Sequence, residues 1–119
     1  MKRHLLTIAL IAAAACAPAK TLELQLEPGE GWWGGGFDFG GAMPITAKSP
    51  RFELDQRNGR GNAALFVSDR GRWVWSEDPC CWTFENGRMT VVPSRAEVRW
   101  GKAGDTLKSA CDYASRTFQ

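Results

Sequence analysis

Short runs of alternating apolar and polar residues dominate the chain. Leu22, Leu24 and Leu26 alternate with Glu23, Gln25 and Glu27, a period of two that predicts a half-buried strand. Arg51 to Asp55 is a second short strand candidate, and the apolar run Ala63 to Val67 suits a buried strand. Asp69-Arg70-Gly71 turns the chain, since Gly71 tolerates a positive φ. Arg72 to Ser76 then returns as a strand with Trp73 and Trp75 on one face, which makes both core candidates. Trp82-Thr83-Phe84-Glu85 and Arg88-Met89-Thr90-Val91-Val92 flank Asn86-Gly87, the preferred signal of a type I′ hairpin. Glu97 to Trp100 is a further strand candidate. Past Gly101-Lys102-Ala103-Gly104 the period changes. Leu107, Ala110, Cys111, Ala114 and Phe118 fall at helical spacing, and Asp105 or Thr106 can cap the start. The pattern therefore predicts a mainly β chain, many strands followed by one terminal helix over 105–119.

One window breaks the alternation. Pro28 to Gly41 holds seven glycines together with Trp32, Trp33, Phe37 and Phe39. Glycine loses more backbone freedom than any other residue on ordering, so the window predicts a long loop rather than a helix or central strand. Its rings must rest against something. Adjacent residues of an extended chain point to opposite sides, so one of Trp32 and Trp33 anchors the loop while the other can face a ligand. A tryptophan exposed in this way stacks on the apolar C–H face of a sugar ring, whereas a buried one only packs. Asp38, between Phe37 and Phe39, is the carboxylate best placed to join such a site.

The start of the chain modifies the charge balance. Lys2 and Arg3, an apolar run from Leu5 to Ala15, and Ala17-Pro18-Ala19 have the layout of a secretory signal peptide, cut after Ala19. Ala13-Ala14-Ala15-Cys16 offers an alternative, a lipoprotein box with Cys16 lipidated. Either way the expected product is exported, to the periplasm or the outside. Beyond residue 19 the chain carries 13 basic and 13 acidic residues, so composition gives no footprint for nucleic acid. Export permits disulfides. A bridge from Cys80 or Cys81 to Cys111 is one reading and three free thiols, packed as small apolar groups, is the other.

Several chemistries are excluded. His4 is the only histidine and belongs to the leader, so the domain from residue 20 has no imidazole base, no Ser-His-Asp triad and no histidine metal site. The cysteine spacing does not match a zinc site. No glycine fingerprint opens a helix, so no nucleotide cofactor is expected. Asp38, Glu53, Asp55, Glu77 and Asp78 are the carboxylates that can pair for acid/base work, although as a class they read first as solvated charges and turn residues.

Gly31-Trp32-Trp33-Gly34-Gly35, Met43-Pro44, and the run from Arg60 to Pro79 built around Gly71-Arg72-Trp73-Val74-Trp75-Ser76-Glu77 resemble the N-terminal domain of secreted bacterial glycoside hydrolases of family 31, similar to α-glucosidases and α-xylosidases. Gly104-Asp105-Thr106-Leu107-Lys108 and Ala114-Ser115-Arg116 look like that family's link toward its barrel. Cys80-Cys81 departs from the pattern, where an aromatic is expected after the proline. The resemblance implies an antiparallel β-sandwich of galactose-mutarotase-like type over 20–104, incomplete, with a helix over 105–119 leading toward a catalytic barrel. Two aspartates of that barrel, absent from this chain, perform retaining hydrolysis of α-glycosidic bonds. It further implies that Trp32, Trp33 and Asp38 lie in the loop lent to the active-site rim, that the partners are a carbohydrate and the barrel, and that this chain is a fragment without turnover of its own. The rival expectations are a stand-alone exported carbohydrate-binding β-sandwich and a small exported scaffold bridged through Cys111.

Overall fold

The computed structural model describes residues 20–35, 41–58 and 64–118. The expectations placed on residues 1–19, including Cys16, and on Phe37, Asp38 and Phe39 lie outside the described residues. Among the described residues, eight strands and one α-helix follow in order: β1 (Leu22–Gln25), β2 (Trp32–Gly34), β3 (Phe52–Asp55), β4 (Leu65–Ser68), β5 (Arg72–Ser76), β6 (Cys80–Glu85), β7 (Arg88–Pro93), β8 (Val98–Lys102) and α1 (Leu107–Thr117). They form two antiparallel four-stranded sheets. The first has the order β1-β7-β6-β3 and the second β2-β4-β5-β8. The glycine window is thus not a loop throughout, because it contributes β2, an edge strand paired with β4 at Trp32↔Ser68, Trp33↔Val67 and Gly34↔Phe66.

The alternation read from the sequence fills the space between the sheets. Leu24, Leu54, Trp82, Phe84, Met89 and Val91 point inward from the first sheet, and Trp32, Phe66 and Val74 from the second. Phe66 meets Trp82 at 4.5 Å and Phe84 at 5.2 Å between ring centroids, so the sheets interlock through aromatic rings. Burying each side chain of this size is worth roughly 1.5–3 kcal/mol. The hairpin between β6 and β7 has Asn86 at φ 54° and Gly87 at φ 75°, the two positive values that a type I′ turn requires. Gln56, which follows β3 in a short 3-10 turn, is a buried polar residue of the core rather than a plain turn residue. Its Oε1 accepts from Trp82 Nε1–H at 2.7 Å and from the Cys80 amide at 3.3 Å.

Trp73 and Trp75 do not face this interior. The residue between them, Val74, is the one turned inward, fully buried. The two rings lie on the outer face of the second sheet, where α1 folds back and covers them. Trp73 stacks on Tyr113 at 5.4 Å, and Trp75 stacks on Phe118 at 4.3 Å with the ring planes 11° apart. Ala110 and Ala114 are the buried positions of the helix, and their small side chains let it approach the sheet. Cys111, grouped with them by helical spacing, is instead exposed. Thr106 is the cap: its Oγ1 accepts the Ser109 amide at 3.1 Å while Ser109 Oγ accepts the Thr106 amide at 3.1 Å, which satisfies two of the donors a helix start leaves open.

Candidate functional site

The two tryptophans of β2 separate as their adjacency demands. Trp32 points inward and has no exposed surface. Trp33 points to the outer face of the second sheet, beside Val67, and is half-buried. Its ring leans on the backbone of Gly31: a Cβ there would stand 3.2–3.3 Å from the Trp33 ring and 2.9 Å from Pro44 Cβ. Glycine at position 31 is therefore what lets Trp33 and Pro44 close over the chain. Trp32 is the anchor of the pair, and Trp33 is the one that presents surface.

What anchors this segment is a polar cluster that the apolar pattern does not announce. Glu30, two residues before β2, is completely buried, and Arg72, the first residue of β5, is 7% exposed. Arg72 grips Glu30 with both arms, Nε to Oε2 at 2.9 Å and a terminal nitrogen to Oε1 at 2.5 Å. The same terminal nitrogen also donates to the Gln25 carbonyl at 2.9 Å. Glu30 Oε1 accepts the Glu27 amide at 3.0 Å, and the Ser68 side chain hydrogen-bonds the carboxylate as well. Burial pushes the Glu30 carboxyl upward. The bonds from Arg72, the Glu27 amide and Ser68, with the charge of Arg72, outweigh this and hold it below the usual carboxylate range. The Arg72 guanidinium also lies 5.4 Å over the Trp32 ring, a cation–π geometry. A second tie joins the same segments, with Gly31 N–H donating to Asp69 Oδ1 at 3.0 Å and Asp69 N–H to the Gly31 carbonyl at 3.1 Å. The turn before β5 thus clamps the entry of the glycine window from two sides. Nothing in the local sequence singles out Glu30 as a buried partner, and Arg72 stands out only as part of the run from Gly71 to Glu77. The signal the pattern does hold is their position, each two residues before an inward-facing residue of a strand, Glu30 before Trp32 and Arg72 before Val74.

Beside this clamp, a groove of about 560 Å³ is walled by Leu26, Pro28, Thr46, Ala47 and Lys48. Neither Trp32 nor Trp33 lines it. Glu53, Asp55, Glu77 and Asp78 do not assemble into an acid/base pair among the described residues. Asp55 is held by the Arg57 guanidinium at 2.9 and 3.0 Å, which pulls its carboxyl down to about 2. Glu53 pairs with Arg51 at 2.9 Å, Asp78 accepts the Ala96 amide at 3.1 Å, and Glu77 is exposed. Among the described residues no group of three or more His, Cys, Asp or Glu side chains could hold a metal ion. Cys80, Cys81 and Cys111 are all free thiols; burial pushes the Cys80 thiol up, and it packs in the interior as a small apolar group.

Compared with models of known protein families and with curated proteins, the chain matches none of them. Its chemistry therefore rests on the geometry of the clamp and of Trp33.

Proposed function

We propose that this chain is a carbohydrate-associated β-sandwich, the N-terminal domain of a glycoside hydrolase of family 31 type, galactose-mutarotase-like in its topology. Cleavage of the α-glycosidic bond belongs to a barrel outside the residues of this chain. The observation that carries the reading is the double role of Arg72. It belongs to the most specific part of the resemblance, Gly71 to Glu77, and its guanidinium pins Glu30 at the entry of the segment that bears Trp33. The motif residue and the loop with the presented ring are thus one mechanical unit. In an assembled enzyme such a unit holds a loop at the rim of the active site, with Trp33 offering a partly exposed ring for stacking.

The purified chain is expected to release no nitrophenol from aryl α-glucosides or α-xylosides above contaminant controls. Turnover by the chain itself would sink the reading. Trp33 also favours a second reading, a binding module that works alone. Quenching of tryptophan fluorescence by α-linked oligosaccharides, abolished in Trp33→Ala, supports that reading over the first. Trp32→Ala serves as the folding control, because it removes a core side chain.

A further inference from the structure

The outer face of the first sheet carries a feature that neither Trp33 nor the clamp explains. Residues facing outward from its four strands fall into register. Glu53, Thr83, Thr90 and Glu23 form one row across β3, β6, β7 and β1. In the next row Glu85 stands opposite Arg88. Two short β-branched residues beside a pair of long charged ones leave a dent in the outer face. Its volume is about 330 Å³, and it is lined by Thr83, Glu85, Asn86, Arg88 and Thr90. That is the low end of the range for small-molecule sites.

The lining offers both donors and acceptors in a small area. Two hydroxyls and a carboxamide each provide both, the carboxylate only accepts and the guanidinium only donates. Among the described residues, the side chains of Thr83, Thr90 and Asn86 make no hydrogen bond to another protein group. Among the described residues Glu85 meets Arg51 at 3.8 Å, beyond hydrogen-bond distance, and Arg88 donates one exposed hydrogen bond, to Glu23 at 3.3 Å. The Glu85 carboxylate therefore accepts no hydrogen bond from a described side chain, and Arg88 is held by a single bond, in contrast to the two-armed grip of Arg57 on Asp55. A carboxylate beside a guanidinium, above two hydroxyls, can take adjacent hydroxyl groups of a ligand from both sides, as acceptor and donor. An apolar ligand would strand these groups, and a simple anion would face Glu85.

We propose that this dent is a binding site for a small polyhydroxylated ligand, a monosaccharide or one residue at the end of a longer sugar chain. The site is separate from Trp33, on the opposite sheet, and does not depend on it.

The test follows backbone amide shifts of the ¹⁵N-labelled 119-residue chain during titration with D-glucose, D-xylose and maltose, with cyclohexanol as a control that keeps the ring and lacks the polyol. Saturable shifts at Thr83, Glu85, Asn86, Arg88 and Thr90 in the millimolar range are expected with the sugars and not with cyclohexanol. Thr83→Val with Thr90→Val keeps β-branching while removing both hydroxyls, and should weaken binding about tenfold or more, the scale of one or two lost hydrogen bonds. Glu85→Gln provides a second variant that alters no shape and should also weaken it. Absence of shifts at these residues, equal shifts with cyclohexanol, or binding unchanged in both variants would overturn the proposal. Shifts confined to the surroundings of Trp33 would overturn it while supporting the carbohydrate reading. Shifts confined to the dent would sustain it and count against Trp33.

Discussion

Gln56 shows how much one side chain decides in a core this small. Its amide oxygen serves the Trp82 indole and the Cys80 amide at once, and all three residues are buried. Gln56→Ala leaves the indole N–H and a backbone N–H without that partner, and an unsatisfied buried donor costs about 1–3 kcal/mol. For a domain of this size the melting temperature is expected to fall by at least about 4–8 °C, since 1 kcal/mol corresponds to that range. Thermal denaturation followed by near-ultraviolet circular dichroism checks it, and an unchanged midpoint would show that water replaces the amide. Nothing in the local sequence separated Gln56 from the polar turn that follows it. Its inward direction comes from where β3 ends over β6. Trp33 was legible to a different extent. Adjacency required the two rings to diverge, but which of them faces out depends on the register of β2 with β4, Trp32 opposite Ser68 and Trp33 opposite Val67.

At the scale of elements, turns and caps were the most readable parts, because their chemistry is local. Asn86-Gly87 supplies the two positive φ values of its hairpin, and Thr106 caps α1 without help from distant residues. Gly71 combines a local and a non-local demand. Its φ is 83°, which an L side chain rarely adopts, and a Cβ there would run into the Gly104 carbonyl. Its own carbonyl accepts the Ala103 amide at 2.7 Å. Gly71→Ala is therefore expected to cost more than the roughly 1 kcal/mol of the left-handed conformation alone, because the contact with 103–104 must also open. Urea denaturation should show a loss of about 2 kcal/mol or more. A loss under about 1 kcal/mol would mean that the segment before α1 yields freely. The position requirement for positive φ was readable from Asp69-Arg70-Gly71, whereas the close approach of Gly104 was not.

Across the whole molecule, the Glu30–Arg72 pair ties the β1–β2 connection to the centre of the second sheet. Removing one partner of a buried ion pair leaves an uncompensated charge and costs about 3–5 kcal/mol. Glu30→Gln should destabilise the protein by about that amount at neutral pH, and should perturb the Trp33 signal more than the signals of the first sheet. The pair also sets a pH dependence. The Glu30 and Asp55 carboxyls both lie below their ordinary values when folded, so the folded state favours their ionised forms. The resulting stabilisation is present above the ordinary carboxylate range near pH 4 and is lost as pH falls from there toward 2. The melting temperature is expected to hold above about pH 5 and drop below pH 4, less steeply in Glu30→Gln; an equal slope in both proteins would exclude Glu30 as a source. By itself, the sequence determined the strand periodicity, the hairpin, the helix with its cap narrowed to Asp105 or Thr106, and the lack of imidazole chemistry beyond residue 19. These follow from backbone preferences and spacing within a few residues. Only the tertiary structure decided that Trp73 and Trp75 lie under the helix with Val74 inward, that Glu30 and Arg72 are buried together, and that two threonines leave a polar dent on the far sheet. Alternation reveals that a strand has two faces, but which face meets the core depends on what packs against each sheet, and here the helix also covers the outer face of the second sheet at β4 and β5.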